Sequence, residues 1–271
     1  MGADEAASQR EARRRSFDEA AEDYDAVRPG YPEGLFDELA SRVPPPADIL
    51  EVGPGTGQAT GALLERGYRV LAVESGPRLA AHLERKLARP TLTVHVGRLE
   101  DWPMRPEAFD LAAAFSAFQW VEPDHGYRIL AGALRPGGWL ALAWNEPTDD
   151  EPRPGSFEAT VQPIYRRCAP MLARDAPRGP AGSPGEDHDR RSEIAATGLF
   201  AAPVERVAYP WSRRLDTQTY LRLLDTYSGH RQLTTEQRRC LHGGIAELLD
   251  ARFGGAVVEE RNAVLYLARR R

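Results

Sequence analysis

The strongest constraint on this chain is the stretch Ile49-Leu50-Glu51-Val52-Gly53-Pro54-Gly55-Thr56-Gly57. An apolar run of β type passes an acidic residue, and glycine then recurs at every second position. Such a run reads as a strand entering a tight loop whose bare backbone lets a ligand approach closely. Residues 58–66 have the pattern of a helix, so the loop also presents a helix N-terminus with free N–H groups. A strand, a glycine loop and a helix in that order place a nucleoside-bearing ligand at the first strand–helix turn of an open α/β sheet.

Spacing narrows the ligand. The dinucleotide fingerprint needs a third glycine where this chain has Gln58; Gly57 instead makes the pattern E-x-G-x-G-x-G. A second β-like run, 68–73, ends in Glu74, about twenty residues past the loop, where a carboxylate can accept hydrogen bonds from both ribose hydroxyls. Ser75-Gly76-Pro77 turns into the next helix, which carries Leu79. The run 91–96 is a third strand, followed by Gly97-Arg98-Leu99-Glu100-Asp101-Trp102-Pro103. Phe109-Asp110-Leu111-Ala112-Ala113-Ala114-Phe115 is a fourth, followed by Ser116-Ala117-Phe118-Gln119-Trp120. Leu134-Arg135-Pro136-Gly137-Gly138 ends a helix and turns into a fifth strand.

These segments resemble the class I S-adenosylmethionine (SAM)-dependent methyltransferases, over residues 16–145. The post-strand-four motif is similar to the small-molecule branch that includes trans-aconitate methyltransferase. The resemblance implies an α/β, Rossmann-like fold. It has a seven-stranded, mostly parallel sheet with the last strand antiparallel between strands five and six. Helices lie on both faces, with a helical N-terminal segment and an inserted lid. It implies SAM as cofactor and S-adenosylhomocysteine (SAH) as product. The cofactor would be held by Tyr24 or Arg28 at its carboxylate, Glu51, Gly53, Gly55 and Gly57 in the loop, and Glu74, Ser75 and Leu79 at the ribose and adenosine. Leu99, Glu100, Asp101 and Trp102 would meet the adenine, with Glu100 and Asp101 both open as its acidic acceptor, and Ser116 and Gln119 would border the methyl. Arginine is the better carboxylate partner, because its fork matches that anion.

The acceptor side rests on fewer signals. Tyr31, Trp120, Asn145 and Tyr227 are candidates to line its pocket, where aromatic rings suit a flat or cationic molecule. His125 and His230 are candidate bases, since imidazole titrates near neutrality. The organisation expected is residues 1–15 disordered and 16–45 a helical segment over the cofactor, with Ser16 as a helix cap. Residues 46–145 form the SAM-binding core, 146–200 a substrate lid containing a mobile stretch 174–189, and 201–271 the rest of the sheet with cap helices at 217–224 and 235–251. A helix over 157–172 has to kink or divide at Pro163.

Composition excludes some classes. The net charge of −5 and the lack of a basic block outside the termini argue against a nucleic-acid substrate. No run reaches the roughly 18 apolar residues of a membrane span. Cys168 and Cys240 are too few and too separated for a disulfide framework, so reduced thiols are expected, and no cluster has metal-ligand spacing. Arginine carries almost all the positive charge, which fits a GC-rich bacterial genome. The expectation is a cytoplasmic monomer or homodimer that methylates an O, N or C atom of a small molecule, plausibly in natural-product metabolism. The alternatives are a SAM-binding protein that does not methylate, and a NAD-dependent oxidoreductase, against which Gln58 argues.

Overall fold

The computed structural model describes residues 18, 21–148, 152–173 and 189–271. The expectations for residues 1–15, for the Ser16 cap and for most of 174–189 lie outside them. Seven strands form one sheet in the order β3-β2-β1-β4-β5-β7-β6. They are β1 (Asp48–Val52), β2 (Arg69–Glu74), β3 (Leu92–Val96), β4 (Phe109–Phe115), β5 (Leu134–Pro147), β6 (Glu205–Asp216) and β7 (Ala256–Arg269). Strands β1 to β5 pair in parallel, whereas β7 runs antiparallel to both β5 and β6. This is the Rossmann-like arrangement that the motifs implied.

The two faces of the sheet follow from strand alternation. Leu50, Val52, Ala112, Leu140 and Leu142 belong to one core, with α5 (Pro123–Ala133) and α8 (Arg190–Ala196) against it. Their neighbours Ile49, Leu111, Ala113 and Ala141 belong to the other, under α2 (Glu33–Arg42), α3 (Gln58–Glu65) and α4 (Pro77–Lys86). Burial on both sides explains why β1 and β4 read as continuous apolar runs. Edge strand β6 alternates exposed and half-buried residues instead. It runs unbroken through Pro210, which costs little on an edge, where one side of the ladder is open.

A third apolar cluster lies outside the sheet. It joins α1 (Ala21–Val27) through Val27 to α6 (Phe157–Thr160), α7 (Gln162–Cys168), α9 (Thr217–Asp225) and α11 (Thr235–Arg252), with the short α10 (Ser228–Arg231) between the last two. The expected 157–172 helix is divided: Pro163 lies in the first turn of α7, where a missing N–H costs nothing. Helix starts coincide with side-chain caps: Asp216 accepts from Thr219 N at 2.7 Å, and Thr234 and Gln237 form a reciprocal capping box. Of the expected lid, 146–200, the helices α6 and α7 pack with α9 and α11 into one cap, whereas α8 lies against the sheet.

One expectation is overturned. Cys168 and Cys240 are not free thiols; they form a disulfide joining α7 to α11, with Cα atoms 5.5 Å apart. Separation along the chain is no guide here, because the cap folds back over 72 residues. The bond closes a long loop and should stabilise mainly by restricting the unfolded chain, by about 2–4 kcal/mol. Non-reducing peptide mapping is expected to recover the linked Cys168 and Cys240 peptides. Cys168→Ala or added reductant is expected to lower the melting temperature by several degrees. Two free thiols in the air-oxidised folded protein would contradict the structure.

Candidate functional site

The glycine loop after β1 is shaped by close approach. Gly53 and Gly55 both have left-handed backbones, with φ of +63° and +58°. A Cβ on Gly53 would stand 2.5 Å from the Ala117 Cβ, so only glycine fits. Gly57 has a different job: its Cβ would strike Leu83 and Leu87 at 2.6 and 2.8 Å, so it seats α4 against the loop. It does not line the cavity that the loop opens onto.

That cavity, of about 410 Å³, lies at the carboxyl ends of the strands, where the order reverses between β1 and β4. Tyr24, Arg28, Gly53, Gly55, Glu74, Ser75, Leu79, Leu99, Glu100, Ser116, Gln119, Trp120, Asn145 and Tyr227 all line it. Glu74 is 4% exposed and accepts from Gly55 N at 3.0 Å and Gly76 N at 2.8 Å; burial raises its pKa against the effect of those bonds. Of the two candidate adenine acceptors, Glu100 lines the cavity, whereas the Asp101 carboxylate is 75% exposed. Trp102 is buried against Phe109 behind the wall, outside the lining.

Polar contacts brace the cavity's inner end. Ser116 has φ of +52°, uncommon for a residue with a side chain, and its Oγ lies 2.7 Å from the Tyr31 hydroxyl. Gln119 donates to Ser116 O and accepts from Trp144 Nε1, both at 2.8 Å, so its amide is held by the frame. Asn145 accepts from Trp211 Nε1 at 2.7 Å. Arg28 donates to Oγ1 and O of Thr226 and lies over the rings of Tyr24 and Tyr227.

A smaller cavity of about 210 Å³ shares Arg28, Gly53, Ser116, Asn145 and Tyr227 with the first and adds Tyr31, Glu51, Glu259 and Arg261. A third, of about 310 Å³, lies between the cap and β7 and again includes Tyr227, Glu259 and Arg261. The three are therefore neighbours along one path from the sheet to the cap. Tyr165 and His230 line the third, with the Tyr165 hydroxyl 2.9 Å from His230 Nε2. Burial drops His230 to about 4, which makes it a weak base at neutral pH. His125 is an exposed first-turn residue of α5 and lines none of these cavities. The structure thus brings neither histidine into the first cavity. Sequence reasoning missed Thr226, Glu259 and Arg261. The signal for the last two was available: Glu259 and Arg261 are charges two residues apart, hence on one strand face, within a mostly apolar strand.

Glu51 is the unusual group. It is 1% exposed and neither carboxylate oxygen has a hydrogen-bond partner. Burial first, with the Thr60 hydroxyl working against it and the nearby Glu74 charge adding to it, raises its pKa from 4.5 to about 7. The folded state then holds this proton more tightly than the unfolded chain. The contribution to stability is complete below 4.5 and is lost as pH rises through about 7. Glu51→Gln should remove that slope. Relative to wild type, the ligand-free variant is expected to gain on the order of 3 kcal/mol between the acid and alkaline ends of that window. Thermal melts at both ends test this; parallel pH profiles would exclude the assignment.

Residues 50–142 match the family model described as a methyltransferase domain. An uncharacterized methyltransferase of Geobacillus kaustophilus is 30% identical over 173 residues, covering 60% of this chain and 78% of the relative. An uncharacterized methyltransferase of Mycobacterium tuberculosis is 36% identical over 137 residues, covering 50% of this chain and 54% of the relative, so the chain spans about half of that protein. A solved structure named as a type II methyltransferase, from Anaeromyxobacter dehalogenans, is 26% identical with a TM-score of 0.58, covering 90% of this chain and 96% of the other. With the strand order and the glycine-floored cavity, these likenesses lead to one statement: the chain belongs to the class I SAM-dependent methyltransferase family.

Proposed function

We propose that this protein binds SAM in the 410 Å³ cavity and transfers its methyl group to a small molecule held beneath the cap. One observation supports the reading: the cavity and the adjoining junction carry, along one path, polar groups of the kinds that SAM requires. Glu74 would accept from the ribose hydroxyls and Glu100 from the adenine amino group. At the other end, Arg28 offers a guanidinium to a carboxylate and the unpartnered Glu51 offers an anion to an ammonium. An ammonium beside Glu51 would take the place of its proton. The trans-aconitate branch stays a resemblance, and bacterial natural-product metabolism is a setting proposed from composition.

When bound, SAM supplies an electrophilic methyl on a sulfonium, so the chain's work is placement. Gly53 and Gly55 let the ligand lie against backbone. Ser116, Tyr31 and Asn145 form a rigid rim where the cofactor cavity meets the junction. The cap covers the acceptor side and keeps water from a nucleophile lying there. Among the described residues, no histidine lines the cavity or the junction. His230 is a weak base by the measure above, and His125 is outside. The frame therefore suits an acceptor that is already nucleophilic, an ionised oxygen or a neutral amine, which needs no strong base.

Calorimetric titration with SAM, SAH and NAD tests this directly. Wild type is expected to bind SAM and SAH with micromolar affinity and not NAD. Gly55→Asp should abolish binding, because its side chain enters the cavity, and Glu74→Ala should weaken it by about tenfold or more. Preference for NAD would overturn the proposal. Tight SAM binding with no methyl passing to any acceptor in a labelled screen would favour the non-methylating alternative.

A further inference from the structure

Arg261, at the junction between cofactor cavity and cap, shares its carboxylate partner with a second guanidinium. Glu259 is 7% exposed, with one oxygen accepting from Arg213 Nε at 2.7 Å and the other from Arg261 Nε at 3.2 Å. Two cations thus share one anion. Arg213 also donates from Nη1 to Val27 O at 2.7 Å; its Nη2 is buried without a partner, but it lines none of the cavities and so faces no ligand space. Arg261 uses only its Nε. Its two Nη groups have no hydrogen-bond partner among the described residues, and it lines both the junction and the chamber under the cap.

The two lining arginines are divided by position. Arg28 faces the cofactor cavity and the junction; Arg261 faces the junction and the cap chamber but not the cofactor cavity. The other charges of the chamber do not satisfy Arg261. Glu260 pairs with Arg153 at 2.6 Å where the chamber meets a more open cleft, and Glu158 is an exposed residue. The chamber's walls are rings: Phe157 and Tyr220 meet edge to face at 5.2 Å, with Tyr165 and Tyr227 alongside. A guanidinium edge open to an aromatic chamber suits a planar anion on a flat body.

Resting on the methyl-transfer reading, we infer that Arg261 anchors the acceptor through a carboxylate, and that the acceptor is a flat, aromatic or conjugated carboxylic acid lying under the cap. Arg261 orients the acceptor from its far end, leaving another atom of the molecule toward the junction.

The test is binding, read apart from turnover. SAH-saturated protein is titrated with benzoate, benzamide and benzylamine by ligand-observed NMR at up to millimolar concentration. Benzoate is expected to bind about tenfold tighter than benzamide, with benzylamine weakest. Arg261→Gln should erase the preference while keeping benzamide and SAH binding, and Arg261→Lys should keep part of it as a point charge. If Arg261→Gln does not fold, weakened benzoate and unchanged benzamide binding in Arg261→Lys carries the same conclusion. Equal affinities for benzoate and benzamide in wild type would overturn the inference, as would no benzoate binding or a preference that survives both substitutions. Loss of SAH binding in Arg261→Lys would reassign the residue to the cofactor. Failure of wild type to bind SAH at all would instead sink the methyl-transfer reading on which this one rests.

Discussion

The buried carboxylate of Glu74 ties the site together. By accepting amide hydrogens from Gly55 and Gly76, it joins the first strand–helix turn to the second and holds the glycine loop in its left-handed path. Those bonds offset part of the desolvation cost of burying an acid, which explains how a charged group tolerates the crevice. With the loop in place, Gly53 can approach Ala117, and the turns after β1 and β4 face each other across the cavity. A side chain at Gly53 would push the two turns apart, because its Cβ would run into the Ala117 Cβ.

Three buried acids in this region meet three different fates. Glu74 is solvated by backbone amides. Glu259 is held by two guanidiniums. Glu51 makes no well-formed hydrogen bond, and only the Thr60 hydroxyl nearby works against the rise of its pKa. A folded chain rarely leaves a buried polar group unpaired without a use for it. The contrast among the three separates groups that serve the frame from the group left waiting for a partner.

The sheet was legible in the sequence because its constraints are local. Gly53 and Gly55 mark a backbone that only glycine adopts easily, and β1 and β4 are apolar throughout because both their faces are covered. The helix starts at Thr217 and Thr235 were readable for the same reason. What escaped depends on contacts distant along the chain. The choice between Glu100 and Asp101 turns on which way a single 3₁₀ turn faces. His125 looked close to the chemistry by position after β4, yet the first turn of α5 points it to solvent. Gly57 belonged to the right pattern but answers to Leu83 and Leu87 on another helix. The disulfide and the Arg213–Glu259–Arg261 group are visible only once β7 and the cap are in place.

The cap's construction separates the two halves of the site. Its helices come from two connections, one between β5 and β6 and one between β6 and β7, and neither contributes a strand to the β1–β4 core. Strand β7 supports them: its pairing with β5 ends at Arg261, while residues 256–260 continue against β6 alone. Glu259 and Arg261 therefore sit where the strand leaves the shared sheet and meets the cap. The Cys168–Cys240 bond joins the two connections covalently. The cap helices wall the third cavity, while the glycine loop and Glu74 stand on the sheet. In this architecture the glycine-floored cavity is shaped by strand ends and backbone amides, and the chamber under the cap by side chains of β7 and the cap helices.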